Sequence, residues 1–211
     1  MEMVMRGKFI TFEGSEGSGK STQIDLVYQY LKKHGKKVLL LREPGGVKIS
    51  ERIRQILLDT NNKGMSDECE TLLYMAARAQ LVKEVILPAL NQGQIILCDR
   101  FLDSTIAYQG YGNGVNIDFI KKLGLFVTGK IKPDLTIILD IDTQKGLARI
   151  HRPKDRIEQR KVSYHNRVRY GYQQLARKEP RRVKLIEVNK KSKDEIYSVI
   201  QKYIQKLLKI K

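Results

Sequence analysis

Residues 14–21 read Gly-Ser-Glu-Gly-Ser-Gly-Lys-Ser and match the pattern G-x-x-x-x-G-K-[ST] at every position. The preceding stretch, Lys8-Phe9-Ile10-Thr11-Phe12, reads as a short buried strand, and a segment with helical periodicity begins at Thr22. Glycines in such a turn let successive backbone N–H groups point at phosphate oxygens. Lys20 would reach the β- and γ-phosphates, and the Ser21 hydroxyl would be a ligand for Mg²⁺. The motif predicts binding of a nucleoside triphosphate, but it does not identify the reaction.

Strand and helix patterns alternate along the rest of the chain. Four further apolar stretches read as buried strands, at 38–41, 94–98, 135–140 and 183–188. Helical patterns lie between them, among them 67–92, 101–109, 143–150, 158–178 and 193–209. Continuously apolar strands that are each followed by a helix are typical of a parallel sheet covered on both faces. We therefore predict an α/β fold with five parallel strands and helices on both faces, in one domain over residues 1–211.

The composition excludes several classes of protein. With 211 residues, 41% hydrophobic and 30% charged, the chain can bury a sizeable core and is neither collagen-like nor disordered. No apolar run reaches the roughly 18 residues needed to span a bilayer, so we expect no membrane partner. Cys69 and Cys98 are too few for a disulfide framework, which favours a reduced, cytoplasmic setting.

The charge is strongly positive and unevenly distributed. The formal net charge is +17, and residues 141–211 hold 21 basic and 7 acidic residues. Such a surplus is typical of proteins that bind nucleic acid or an anionic membrane. A phosphate-rich small substrate, together with a solvated lysine surface, would explain it as well. Composition alone does not choose between these interpretations.

Arginines are concentrated where two of the predicted strands end. Arg42 follows the second strand and Arg100 follows the third, while Tyr74 and Arg78 lie four residues apart on one face of the helix between them. The carboxyl ends of parallel strands meet at one edge of a sheet, so the three arginines should converge near the phosphate loop. The cluster favours an anionic ligand unless each arginine pairs with a local carboxylate such as Glu43. The ring beside Arg78 suits a planar base.

Further motifs occur in a defined order. They are Phe12-Glu13-Gly14, Arg-Glu-Pro-Gly-Gly at 42–46, Leu-Leu-Tyr-Met-Ala-Ala-Arg-Ala-Gln at 72–80, Asp-Arg-Phe at 99–101 and Ser-Thr-Ile-Ala-Tyr-Gln-Gly at 104–110. Together with the phosphate loop they resemble the thymidylate kinase (dTMP kinase) family over nearly the whole chain. The resemblance implies a P-loop nucleoside monophosphate kinase-like fold, usually as a homodimer. It also implies Mg²⁺-assisted transfer of the ATP γ-phosphoryl to dTMP, giving dTDP and ADP for dTTP synthesis.

The resemblance also implies roles for individual residues. The ATP site would comprise Gly14, Ser15, Glu16, Gly17, Ser18, Gly19, Lys20, Ser21, Thr22 and Arg149. The dTMP site would comprise Glu16, Arg42, Tyr74, Arg78, Arg100, Ser104, Thr105, Tyr108 and Gln109. In that site Tyr74 would stack on thymine, Arg78 would hydrogen-bond the base, and Arg42 and Arg100 would hold the phosphate. Glu16 would contact the sugar 3′-hydroxyl and Tyr108 would disfavour ribose, while Ser21 and Asp99 would serve the metal.

The chemistry of such an acceptor calls for cations rather than a base. A phosphate monoester, whose second pKa is about 6, is already an anion near neutral pH. The barrier then lies in aligning two anions and spreading charge on the moving phosphoryl group. The phosphate loop contains no arginine, whereas residues 149–157 are basic, a pattern that resembles the bacterial lid-arginine subtype of the family. We expect a short mobile lid there, with Arg152 or Arg156 joining Lys20 and Arg100 as catalytic residues.

Two alternatives remain open. The chain could be another small nucleotide or deoxynucleoside kinase on the same fold, with Glu13 as a base, although the three arginines favour a phosphorylated acceptor. It could also be a nucleic-acid-binding P-loop protein, as the charge suggests. The basic C-terminal third lacks the interleaved aromatic residues that stack on bases, so we expect ATP and dTMP as partners rather than nucleic acid.

Overall fold

The computed structural model describes residues 7–210, and residues 1–6 and Lys211 of the predicted domain lie outside the described part. Within it, five strands form one parallel sheet in the order β2-β3-β1-β4-β5. The strands are β1 (Lys8–Glu13), β2 (Val38–Arg42), β3 (Ile95–Asp99), β4 (Leu135–Asp140) and β5 (Val183–Glu187). The predicted five-stranded parallel sheet is confirmed, with each boundary within one residue of the sequence-based assignment.

Both faces of the sheet are buried, which explains why the strands are continuously apolar. On β1, Ile10 and Phe12 pack into one core and Phe9 packs into another. The first core is completed by the helices α1 (Lys20–Lys33) and α9 (Lys193–Leu208). The opposite face is covered by α3 (Asp67–Leu81), α6 (Ile117–Val127) and α8 (Val162–Lys178). Helices on both faces, as predicted, are thus confirmed.

The remaining helices are short. They are α2 (Lys48–Leu58), α4 (Leu87–Asn91), α5 (Leu102–Thr105) and α7 (Thr143–Ala148), with π-helical turns at Val82–Ile86 and Ile106–Gly112. The helix predicted over 67–92 is therefore divided, because Pro88 lacks an N–H and its ring needs a wider turn before it. The predicted helix over 101–109 consists of α5 followed directly by the π-helical turn at Ile106–Gly112.

The predicted start of the helix at residue 158 is wrong by four residues. The Asp155 carboxylate accepts hydrogen bonds from the backbone N–H groups of Ile157 and Glu158, each at 2.9 Å. The Glu158 carboxylate turns back to accept from the Asp155 N–H at 3.0 Å. These contacts satisfy the backbone in a turn, and α8 begins only at Val162.

The phosphate loop lies at the switch point of the sheet, because the chain leaves β1 toward β2 on one side and leaves the neighbouring β4 toward β5 on the other. The loop is pressed against the region around α7, since a Cβ on Gly17 would lie 2.1 Å from the Gly146 carbonyl oxygen. Gly17 also has a φ of 69°, which side chains rarely adopt. Gly17 is thus required by close packing, whereas Gly19, where an added Cβ would meet nothing within 4 Å, is favoured by its φ of 90°.

Within residues 7–210, no helix is long and apolar enough to cross a membrane.

Candidate active site

A cleft of about 560 Å³ opens at the carboxyl ends of the strands, beside the phosphate loop. Most of the residues assigned from sequence line it: Glu16, Gly17, Ser18, Gly19, Lys20, Ser21, Thr22, Tyr74, Arg78, Asp99, Arg100, Ser104, Thr105, Tyr108, Gln109, Arg149 and Arg152. Four assigned residues are absent from the lining: Gly14, Ser15, Arg42 and Arg156. The phosphate loop therefore shares one cavity with two of the three expected arginines, Arg78 and Arg100.

Lys20 is folded into the phosphate loop. Its Nζ donates hydrogen bonds to the carbonyl oxygens of Gly14 at 3.0 Å and Ser15 at 3.3 Å. Burial and the neighbouring Arg100 lower the pKa of Lys20, while nearby carboxylates, Asp99 first among them, oppose the shift. Gly14 and Ser15 thus contribute to the site by holding the lysine rather than by facing the cleft.

Arg100 is the centre of the polar network in the cleft. Its Nη2 donates to Glu16 Oε1 at 3.0 Å, and the Tyr108 hydroxyl donates to the same oxygen at 2.6 Å. The guanidinium also lies 4.9 Å from the centre of the Tyr108 ring. Burial works to raise the pKa of Glu16, but Arg100 and Lys20 outweigh it and the pKa lies below its usual value. Glu16 is therefore an anion that orients Arg100 and Tyr108 on one side of the cavity.

The backbone at Arg100 is strained, and a buried carboxylate compensates. The φ of Arg100 is 71°, in the left-handed region. Glu13, which has no solvent exposure, accepts from the Phe101 N–H at 2.8 Å, from Ser104 Oγ at 2.5 Å and from the Tyr172 hydroxyl at 3.0 Å. Both Glu13 oxygens are thus occupied by protein donors. A role for Glu13 as a base, which the nucleoside kinase alternative requires, is disfavoured by this geometry.

The opposite wall of the cleft carries the aromatic residue and the second arginine. Tyr74 lines the cavity. Arg78, 2% exposed, donates from Nε to Glu43 Oε2 at 2.8 Å and from Nη2 to Thr105 Oγ1 at 3.0 Å. Burial raises the pKa of Glu43 to about 7, although Arg78 acts in the opposite direction. Arg78 is held rigidly, as a group that reads a ligand must be.

The expected position of Arg42 in the cleft is wrong. Its Nη2 donates to both oxygens of Glu51, at 2.9 and 3.0 Å. The side chain is about half exposed and does not line the cleft. Glu51 is anchored in the first turn of α2, where it also accepts the Gly46 N–H at 2.7 Å, and so holds Arg42 over the turn. Arg54, which sequence reasoning missed, lines the cleft instead and donates to the Pro44 carbonyl at 2.9 Å. The sequence carries no signal for Arg54, because only the structure places this face of α2 beside the cleft.

The structure also separates the two lid arginines named as catalytic candidates. Arg156, which we expected to act in the cleft, is instead buried. Its Nε donates to the Leu57 carbonyl at 2.8 Å, and its Nη2 lies 2.7 Å from Glu70 Oε2. Arg152 lines the cleft with an exposed side chain and pairs with Glu158 at 2.6 Å. Arg149 lies beside the phosphate loop, where it donates to the Gly17 carbonyl at 3.1 Å. The lid therefore presents Arg149 and Arg152, but not Arg156, to the cavity.

Comparison with known proteins agrees with this geometry. A sequence profile described as "Thymidylate kinase" matches residues 12–200. Thymidylate kinase of Halothermothrix orenii is 50% identical over 201 residues, which cover 93% of this chain and 95% of that protein. Thymidylate kinase of Symbiobacterium thermophilum is 45% identical over 201 residues, covering 95% and 94%. The crystal structure of thymidylate kinase from Ehrlichia chaffeensis superimposes with a TM-score of 0.78 at 35% identity, covering 95% of this chain and 99% of that one.

The chain belongs to the thymidylate kinase family. Family membership confirms the resemblance, the P-loop nucleoside monophosphate kinase-like fold and the predicted class of enzyme, an ATP-dependent nucleoside monophosphate kinase. The match extends from the end of β1 to the middle of α9, so it includes the cleft and the lid.

The donor set of this thymidylate kinase family member fits a magnesium ion bound mainly through nucleotide phosphates. Asp99 Oδ1 is buried without a hydrogen-bond partner among residues 7–210, and Asp99 lines the cleft together with Ser21. Within the same residues, no group of three His, Cys, Asp or Glu side chains could hold a metal alone. Mg²⁺ commonly keeps waters and takes few protein ligands beside substrate phosphates. One unpartnered carboxylate oxygen and one hydroxyl match that pattern.

Replacing Glu13 by Gln should change how stability depends on pH. Burial, together with the nearby Asp103 carboxylate, raises the pKa of Glu13 from 4.5 to about 7. The folded wild type keeps this proton at acid pH and must lose it from a buried carboxyl as the pH rises. Its unfolding free energy, relative to that of Glu13→Gln, should therefore fall by about 3 kcal/mol between about pH 4.5 and pH 7.5. Urea unfolding of both proteins across this range measures the difference, and parallel curves would contradict the prediction.

Proposed function

We propose that the chain transfers the γ-phosphoryl group of ATP to dTMP, giving dTDP and ADP for dTTP synthesis. The observation that carries the proposal is the single cleft in which the phosphate loop and the pocket of Tyr74, Arg78 and Gln109 meet at Arg100. ATP would occupy the end that is formed by residues 14–22 and Arg149. The dTMP end would contain the residues Glu16, Tyr74, Arg78, Arg100, Ser104, Thr105, Tyr108 and Gln109.

Positive charge would carry the reaction. Lys20, Arg100, Arg149 and Arg152 line the cleft and would stabilise the charge that spreads over the moving phosphoryl group. The acceptor phosphate is already ionised near neutral pH, so no side chain has to remove its proton. Arg54, which lines the cleft, would bind the dTMP phosphate in the place expected of Arg42. Ser21 and Asp99 would hold Mg²⁺, which when bound neutralises phosphate charge.

The lid and the domain are part of the same proposal. We assign one kinase domain to residues 1–211 and a lid to residues 149–157. The preceding helix α7 ends at Ala148, and Asp155 and Glu158 close the segment with their backbone hydrogen bonds. Between these two ends the side chains of Arg152 and Lys154 are exposed, so this part can move toward a bound nucleotide and exclude water.

A panel of acceptors tests the proposed reaction. The chain, incubated with ATP and Mg²⁺, should phosphorylate dTMP with the highest kcat/KM among dTMP, dUMP, dCMP, AMP and thymidine. Coupled detection of ADP measures the five rates under identical conditions. A preference for thymidine would favour the nucleoside kinase alternative, and equal rates with AMP would exclude a thymidylate-specific site.

Arg152→Ala should lower kcat by at least about tenfold, equivalent to about 1.4 kcal/mol of transition-state stabilisation. The reason is that Arg152 is a lid arginine whose exposed side chain reaches the cleft. Lys154→Ala removes a positive charge from the same lid outside the cleft lining and serves as the control, with a change below about twofold. Steady-state kinetics at saturating ATP and dTMP provide kcat. An equal loss of kcat in both variants would mean that only the total positive charge of the lid matters, and it would contradict a specific role of Arg152.

We further propose a homodimer that buries an apolar surface of α3 and α6, which pack against each other. Leu72 on α3 and Phe119, Leu125 and Phe126 on α6 are exposed, and Phe126 is 83% exposed. Contiguous exposed apolar residues are typical of interfaces. Phe126→Asp should therefore halve the mass measured by light scattering, while Tyr170→Asp, at an exposed aromatic residue of α8, should leave the dimer intact. A monomeric wild type would contradict the dimer, and a dimeric Phe126→Asp variant would contradict this interface.

A further inference from the structure

Glu70 on α3 is a fully buried carboxylate that the proposed reaction does not use. Its Oε2 lies 2.7 Å from an Nη2 atom of Arg156 and 2.7 Å from an Nη2 atom of Arg160. Its Oε1 accepts hydrogen bonds from Gln109 Nε2 at 2.9 Å and from Asn113 Nδ2 at 3.1 Å. One side of the carboxylate thus faces the two arginines at the end of the lid, and the other faces the π-helical turn that carries Gln109.

Two arginines balance the negative charge of Glu70. Two guanidinium groups at 2.7 Å supply the charge that a carboxylate with no solvent exposure needs. An ionised carboxylate has no proton and can only accept hydrogen bonds. Gln109 must therefore direct its NH₂ group at Glu70, because the reverse orientation would bring its carbonyl oxygen against a negative oxygen.

The orientation of Gln109 determines what the amide offers to a ligand. Gln109 lines the cleft beside Tyr74 and Arg78. With Nε2 held by Glu70, the carbonyl oxygen Oε1 is the free end of the amide. Within residues 7–210, no donor forms a hydrogen bond to Oε1, and this oxygen is not buried. The base end of the cleft therefore presents a hydrogen-bond acceptor at this position.

We infer that Glu70 is a positioning residue that sets the base specificity of the enzyme by holding the Gln109 amide with its acceptor toward the base. The inference rests on the proposed dTMP site. Thymine and uracil have an N3–H donor, whereas cytosine has an acceptor at N3. An acceptor on the protein pairs with the first two bases and repels the third, and mispairing of a buried polar group is costly.

Glu70→Gln tests the inference directly. The amide of the variant can donate to Gln109 Oε1, so Gln109 can turn and present its NH₂ group to the base. The ratio of kcat/KM for dTMP to kcat/KM for dCMP should fall by at least about tenfold. The ratio for dUMP to dCMP should fall equally, because uracil has the same N3–H. The ratio for dTMP to dUMP should stay constant, because the amide does not read the methyl group.

Asp140→Asn is the matched control. Asp140 is also a buried carboxylate, it binds Arg169 at 2.6 Å and Gln173 at 3.3 Å, and it does not line the cleft. Its conversion to an amide should lower the melting temperature without changing any ratio of acceptors. A purely structural role of Glu70 would give the same result as this control, namely reduced stability with unchanged ratios, and would overturn the inference.

A second variant covers the case in which Glu70→Gln does not fold. Glu70→Asp keeps the charge for the arginines but withdraws the carboxylate by one methylene from Gln109. The ratio of dTMP to dCMP should fall by at least about threefold, and an unchanged ratio contradicts the inference. The dTMP-to-dCMP ratio of the wild type distinguishes failure of this inference from failure of the proposed function. Without a wild-type preference for dTMP the proposed function itself fails, whereas an intact preference that neither variant changes removes only the role of Glu70.

Discussion

The cleft depends on the hydrogen bonds that the buried carboxylate of Glu13 accepts. This carboxylate joins the end of β1 to the turn after β3 through the Phe101 N–H, to α5 through Ser104 and to α8 through Tyr172. These contacts offset the left-handed backbone of Arg100 and point its guanidinium into the cavity. Burial makes the carboxylate costly to ionise, but three donors converge on it, so replacing any of them leaves a buried polar group unsatisfied.

Carboxylates accompany three of the five arginines that line the cleft. Arg100 is paired with Glu16, Arg78 with Glu43 and Arg152 with Glu158. Such pairing lowers the repulsion among cations gathered in one cavity and fixes the planar guanidinium groups before a ligand arrives. The cleft is therefore preorganised for anions. Most of the surplus positive charge of the chain lies elsewhere in the sequence, in residues 141–211.

The fold and most of the candidate site could be predicted because their signals are local. The phosphate loop, the five apolar strands and the residues after β3 are each recognisable within a dozen positions. The failures concern side chains whose direction is set elsewhere. Arg42 turns to Glu51, and Arg156 is held by Glu70, which also binds Arg160 at a separation of 90 residues. Sequence periodicity does not predict such distant partners. The positions of Arg54 in the cleft and of Glu70 beside the two arginines were therefore not predicted from the sequence.

The amino-acid sequence by itself determined that the chain binds a nucleoside triphosphate, that its strands run parallel and that its acceptor end is rich in arginine. Spacing and hydrophobic pattern are sufficient for these conclusions, because they follow from backbone geometry and burial. Only the tertiary structure decided which arginines face the cavity and which way the Gln109 amide points. Those choices depend on hydrogen bonds between distant residues, such as Tyr172 with Glu13 at a separation of 159 positions, and they exist only once the sheet has brought its strand ends together.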